Sequence, residues 1–359
     1  PANLFTRAGN DLAGAVFGST SVGDVNEDGT PDLLVTGRTS GNTSRTTLYI
    51  GDGSGGLTPS DADLIDVNSG ASAFGDVNND GHLDLVVVGF DDTERTAALY
   101  LGDGAGNFTE TDTDLTGVSF GATASFGDVD NDGNLDLLIA GRDASDSPST
   151  TLYIGDGSGG FAPSDAGLVD VEFGTTSQFE DVNGDGNLDL LLAGDTGSGF
   201  VSILYLGDGT GGFTEAGLGL PGVRASSSTF GDVNDDGNVD FVFTGETDAE
   251  GTSIATLYLG DDTGGFTAAD AGLAGVRFGT SSLGDVDNDG TLDLLIAGED
   301  SDGTATATLY LGDGSGGFTI ADAGLTGMFN ASSAMEDMDG DGDTDMILGG
   351  FDDLFGASA

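Results

Sequence analysis

Cysteine, lysine and tryptophan are absent from these 359 residues, histidine occurs once, and Asp and Glu outnumber Lys and Arg by 63 to 7. Without cysteine there is no disulfide framework and no thiol chemistry. With His82 the single histidine, nucleophile–base pairs could be assembled only from carboxylates. A formal net charge of −56 argues against nucleic acid and anionic membranes as partners. No apolar run approaches the roughly 18 to 20 residues of a membrane-spanning helix. The chain opens at Pro1 with neither a charged start nor an apolar signal core, which fits a mature form, an excised domain or a cytoplasmic protein.

What the chain does have is one pattern written seven times: Asp-x-Asn/Asp-x-Asp-Gly-x-x-Asp followed by an apolar run, at intervals of 51 to 53 residues. Such a period overrides length as a domain counter, so residues 1–359 read as a single unit. Acidic or amide side chains stand at positions 1, 3, 5 and 9 and glycine at 6. Oxygens from alternate residues point inward when a short loop wraps an ion, position 7 can add a carbonyl, and glycine permits the turn. In the first loop the candidate ligands are Asp24, Asn26, Asp28 and Asp32 with the carbonyl of Thr30. The same offsets select Asp76, Asn78, Asp80, His82 and Asp84, then Asp128, Asp130, Asp132, Asn134 and Asp136, then Asp181, Asn183, Asp185, Asn187 and Asp189. They continue with Asp232, Asn234, Asp236, Asn238 and Asp240, with Asp285, Asp287, Asp289, Thr291 and Asp293, and with Asp337, Asp339, Asp341, Asp343 and Asp345. Calcium is the natural occupant, up to seven ions in a structural role; the plain alternative is a solvated acidic turn. Seven divalent ions would leave most of the charge in place. The lack of lysine with a surplus of Asp therefore predicts a surface adapted to concentrated salt, the alternative being an acidic secreted protein at ordinary salinity.

Each repeat reads as four short antiparallel strands. In the third, Phe120 to Val129 is extended and built of small residues, and Leu137 to Ala140 is an apolar run covered on both faces. Thr150 to Ile154 is β-branched and aromatic, Asp156 to Gly160 is a turn, and Phe161 opens a fourth strand. A sheet this small must stack on its neighbours, and radial stacking gives an all-β, seven-bladed β-propeller of four-stranded antiparallel blades. The alternative is a stacked solenoid. Ser19, Ala71, Ala122, Thr175, Ser226, Thr280 and Ala331 then fall beside the axis. Phe5, Leu12, Phe17 and Gly18 match Phe108, Leu115, Phe120 and Gly121, so the chain begins on a fourth strand. Blade seven is expected to be shared between residues 328–359 and 1–13, with Leu354 to Gly356 as a short third strand, which would latch the ring.

These residues resemble FG-GAP repeats, the units of the seven-bladed propeller in integrin α subunits and of many bacterial and archaeal surface proteins. The resemblance rests on Phe17-Gly18, Phe120-Gly121, Phe173-Gly174 and Phe278-Gly279 and on the acidic loop after each. It implies a calcium-holding loop between the first two strands of a blade. The Gly-Ala-Pro of the family is replaced here, for example by Ala-Gly-Arg ending at Arg142, and no domain interrupts the blades, so integrin-style partner recognition does not carry over.

The functional expectation is a calcium-binding, non-catalytic interaction or adhesion module, extracellular or at the cell surface of a halophile, and monomeric. A propeller lectin is the alternative, since some fungal lectins are similar to FG-GAP propellers, although the missing tryptophan counts against sugar stacking. A polysaccharide-cleaving enzyme would need carboxylates unique to one blade, and none stands out. Arg38, Arg45, Arg95 and Arg142 are expected in connections between second and third strands, and Arg224 and Arg277 between blades. That places them on the face away from the acidic loops, where an unknown protein or glycan ligand would bind; alternatively each Arg merely pairs with nearby Asp. His82 is expected as a solvent-facing spacer.

Overall fold

The computed structural model describes residues 17–39, 42–261 and 263–351. Among these, six four-stranded antiparallel sheets and a seventh sheet of two strands follow one another, each sheet in simple sequence order. In the third blade the strands are Ser119–Gly127, Asp136–Arg142, Pro148–Gly155 and Phe161–Ser164. The second strand thus begins at the ninth loop residue and takes in Arg142.

Side-chain alternation explains why the blades stack. Leu137, Leu138, Ile139 and Ala140 are at most 1% exposed. Leu137 and Ile139 pack with Val86, Val88 and Leu99 of the preceding blade, whereas Leu138 and Ala140 pack with Val171, Leu190 and Leu192 of the following one. Period-two geometry sends successive residues to opposite neighbours, and burying each Leu or Ile stabilises the stack by about 1.5–3 kcal/mol. The six tyrosines, one in each four-stranded sheet, are buried too. Tyr100 and Tyr153 accept the backbone amides of Ile65 and Thr116 through their hydroxyls.

The innermost strands surround a central funnel of about 960 Å³ whose wall includes Ser19, Ala71, Ala122, Thr175, Ser226, Thr280 and Ala331. Small side chains fit where seven strands converge. Hydroxyls tie neighbouring blades there, as in Ser19 to Ser72 at 3.0 Å and Ser125 to Ser177 at 2.7 Å. Near the start of each inner strand one residue is left-handed: Phe17, Ser69, Phe120, Phe173, Ala225, Phe278 and Asn330. In blades two to seven the pairing register also shifts there. The Phe-Gly signature is therefore a bulge.

The inner strand of the seventh sheet, Phe329–Glu336, lies against that of the first, Thr20–Gly23. Phe17 meets Phe351 edge to face at 5.7 Å between centroids. The latch expected from residues 1–13 and 354–356 lies outside the described residues.

In the second blade the glycine after the bulge residue admits no side chain, because a Cβ on Gly70 would sit 1.8 Å from the carbonyl oxygen of Val88. Gly70→Ala is expected to destabilise the protein by roughly 1–3 kcal/mol, read from the midpoint of urea denaturation. An unchanged midpoint would contradict this packing.

Candidate metal centres

In each acidic loop the backbone aims the carboxylates. In the third, Asp128 accepts the amides of Asp132 at 3.1 Å and Gly133 at 2.9 Å. Asp130 accepts that of Asp132 at 3.2 Å, and Asp132 that of Asn134 at 2.9 Å. Asp136 is fully buried and takes the amide of Val129 at 2.8 Å on one oxygen and that of Gly155 at 2.9 Å on the other. It thereby joins its loop to the end of the third strand. The first loop repeats the scheme with Asp24, Asp28 and Asp32. Gly29 and Gly133 have φ of 85° and 90°, a conformation that costs glycine little.

Among the described residues, three loops bring three carboxylates within 4.8 Å of one another: Asp128, Asp130 and Asp136; Asp285, Asp287 and Asp289; and Asp337, Asp339 and Asp345. Sets of this kind, all oxygen, could hold a hard divalent cation. The carboxyls within a loop differ in character. Burial raises Asp189 to about 6, with the charges of Asp185 and Asp181 adding to it and two backbone amides opposing. Burial likewise raises Asp32, Asp84, Asp136, Asp240, Asp293 and Asp345. Asp28 and Asp289 are lowered, chiefly by the hydroxyls of Thr30 and Thr291; Asp80 is lowered, chiefly by the amide of His82.

The loops also touch around the ring. Position 4 is left-handed, with φ of 57° at Glu27, Asn79, Asn131 and Asn288. Its side chain reaches position 7 of the next loop. Asn79 donates to Asn134 at 2.7 Å and Asn131 to Asn187 at 2.8 Å, while Asn288 meets Asp343 and Glu27 meets His82. His82 is thus an inter-blade contact rather than a mere spacer, and the Glu27 hydrogen bond raises its pKa. The signal was present in sequence, since position 4 holds only Glu, Asn, Asp or Gly, three of which tolerate left-handed backbone well. In the second, third, fourth and sixth blades the strand three-to-four turn closes over the preceding loop, as Gly106 and Gly211 donate to the carbonyls of Val25 and Val129 at 3.1 Å.

The six arginines among the described residues stand at strand ends rather than inside the connections, on the face away from the acidic loops. Arg38 pairs with Asp92, Arg95 with Asp146 and Arg142 with Glu172 of the next blade. Arg224 bridges Asp195 and Glu246, and Arg277 bridges Glu246 and Glu299. Arg45 is exposed and donates to Thr47. Local pairing is therefore what these five do, with every pair except the one between Arg277 and Glu299 and that between Arg224 and Glu246 crossing from blade to blade.

The family model described as FG-GAP-like repeat matches residues 24–87, 76–139, 181–243 and 285–348. No curated protein matches the sequence. Among solved structures, a lectin of Agrocybe aegerita that recognises non-reducing terminal N-acetylglucosamine superposes with a TM-score of 0.59 at 17% identity, over 94% of this chain and 87% of that one. AofleA from Arthrobotrys oligospora gives 0.51 at 12% identity, over 86% and 87%. Likeness at such identities concerns the fold.

Where no cation is bound, the raised carboxyls hold protons in the folded state that the unfolded chain has already released, for Asp189 up to about pH 6, so stability falls as pH rises above the ordinary carboxylate range. Urea denaturation of chelated protein in molar salt, which screens long-range repulsion, is expected to show less stability at about pH 6.5 than at about pH 4.5. A flat or rising profile would contradict the burial of the ninth carboxylate.

Proposed function

Because this chain belongs to the FG-GAP-like repeat family, we propose that it is a calcium-braced, non-catalytic binding propeller working at a cell surface or outside the cell in concentrated salt. The observation that carries this reading is the convergence of three carboxylates within 4.8 Å in loops that offer oxygen alone. Calcium accepts six to eight oxygens in flexible geometry, which suits a loop that also supplies amide and carbonyl oxygens. Asp24, Asn26, Asp28, Thr30 and Asp32, with their equivalents in the other six loops, would hold it. The ion would offset the repulsion within each loop and, through Asp136 and its equivalents, brace the blade.

The acids recur in the same place in every repeat, and the single histidine is engaged with Glu27, so the loops favour a structural over a catalytic role. Recognition then belongs to the arginine-bearing face. A glycan is the ligand class favoured there, supported by the lectin-like fold and by the mixture of aromatic rings, hydroxyls and the guanidiniums of Arg38 and Arg95, each paired with a carboxylate, around the funnel. A net charge of −56 without lysine supports the high-salt setting.

Calcium titration of chelated protein by calorimetry and thermal melting tests this. Binding of several ions, up to seven, is expected; each filled site adds about 2.7 kcal/mol at a hundredfold excess over its Kd, so Tm should rise by roughly 10 °C or more. Multimolar sodium chloride should recover part of that rise without calcium. A Tm indifferent to calcium at low salt would overturn the proposal.

A further inference from the structure

Two of the most exposed large apolar side chains stand at the mouth of the funnel: Phe17 is 45% and Phe120 44% exposed. Both are held in left-handed backbone, with φ of 56° and 66°, which is unfavourable for a bulky residue. The bulge does not need a ring, since Ser69, Ala225 and Asn330 serve the same turn in other blades. Nor does the core repay the strain in full, because nearly half of each ring stays in solvent. Strained, exposed aromatic side chains gathered around one cavity point to a ligand.

We propose that this funnel binds a neutral saccharide, one per propeller, an inference that rests on the binding-module reading above and names its site and ligand class. Phe120 offers an apolar platform. Arg95 and Arg142 lie 5.4 and 5.1 Å from its ring centre, and Glu172 fixes Arg142 through two hydrogen bonds of 2.7 and 2.8 Å. A pyranose ring fits such a corner, with its C–H face against the open part of the aromatic ring and adjacent hydroxyls on the guanidinium of Arg95, which lines the funnel. Deeper in the funnel the polar wall is hydroxyl, Ser72 and Ser177 among it. Each hydroxyl bonded to a neighbouring blade still has acceptor capacity left.

Charge selects against the other ligand classes. At the rim the arginines face Asp92, Asp146, Glu172, Asp195, Glu246 and Glu299, so the mouth is nearly balanced on a molecule of net charge −56. An anionic ligand is repelled by the surrounding field, and a cationic one is drawn to the acidic remainder of the surface. A neutral polyhydroxyl compound meets neither penalty. The volume of about 960 Å³ is within the range of small-molecule sites, and the funnel's place on the ring axis sets one ligand per chain.

The whole chain, loaded with calcium at about 0.1 M salt, where its field still reaches about 10 Å, is titrated by calorimetry with chitotriose, mannotriose and maltotriose and with acidic trigalacturonate. At least one neutral trisaccharide is expected to bind one to one, at least about tenfold tighter than trigalacturonate. Phe120→Gly is expected to weaken it by about tenfold, the loss of one aromatic stack, with Tm unchanged or raised because glycine suits that φ. Phe120→Asn, a residue the seventh blade already uses at Asn330, is the second variant should the first fail to fold. Absence of binding by all three neutral sugars overturns the proposal. So does binding of several equivalents that both variants leave intact, which would place sugar between blades. Either result leaves the calcium reading standing, since that is judged by Tm against calcium.

Discussion

Asp136 is buried between the backbone amides of Val129 in its own loop and Gly155 at the end of the third strand, and Asp32, Asp84, Asp189, Asp240 and Asp293 make the same two bonds. Around this joint the rest of a blade is organised. The carboxylate starts the second strand, orients the loop and anchors the hairpin whose turn reaches the preceding blade. A buried acid near other acids is costly when ionised, and burial raises its pKa. At neutral pH the fold consequently gains from any cation that joins the cluster. One interaction thus couples local loop geometry, contact between blades and the chemistry of the site.

The two faces of the ring divide the charge. On one, the acidic loops link through position 4 and position 7 side chains, as Asn131 does with Asn187. On the other, arginines bridge neighbouring blades, as Arg142 does with Glu172. These pairs are partly exposed, so each contributes little alone; in a ring they fix how adjacent blades meet. The funnel opens on this second face, where repulsion is least.

Much of this was legible in the sequence because repetition averages out noise. Seven copies of Asp-x-Asn/Asp-x-Asp-Gly-x-x-Asp located the loops, and the run Leu137 to Ala140 signalled a strand covered on both sides. The small residues from Ser19 to Ala331 were correctly set beside the axis. Three features were not foreseen. The link between Glu27 and His82 joins position 4 of one loop to position 7 of the next; the residues at position 4 hinted at left-handed backbone, but the partner lies in another repeat. The left-handed bulge at Phe120 is invisible because its other occupants, Ser69, Ala225 and Asn330, share no chemistry; what they share is backbone geometry. The arginines looked like loop residues because charge usually marks a connection, whereas Arg95 opens and Arg142 closes a strand at the sheet's rim.

The most direct measurement is anomalous diffraction from crystals grown in calcium. The account predicts a peak enclosed by Asp128, Asp130 and Asp136 and by the corresponding residues of the other loops, with Asp136 still holding the amides of Val129 and Gly155. Peaks only at scattered surface carboxylates, with these loops empty in the same crystal, would contradict it.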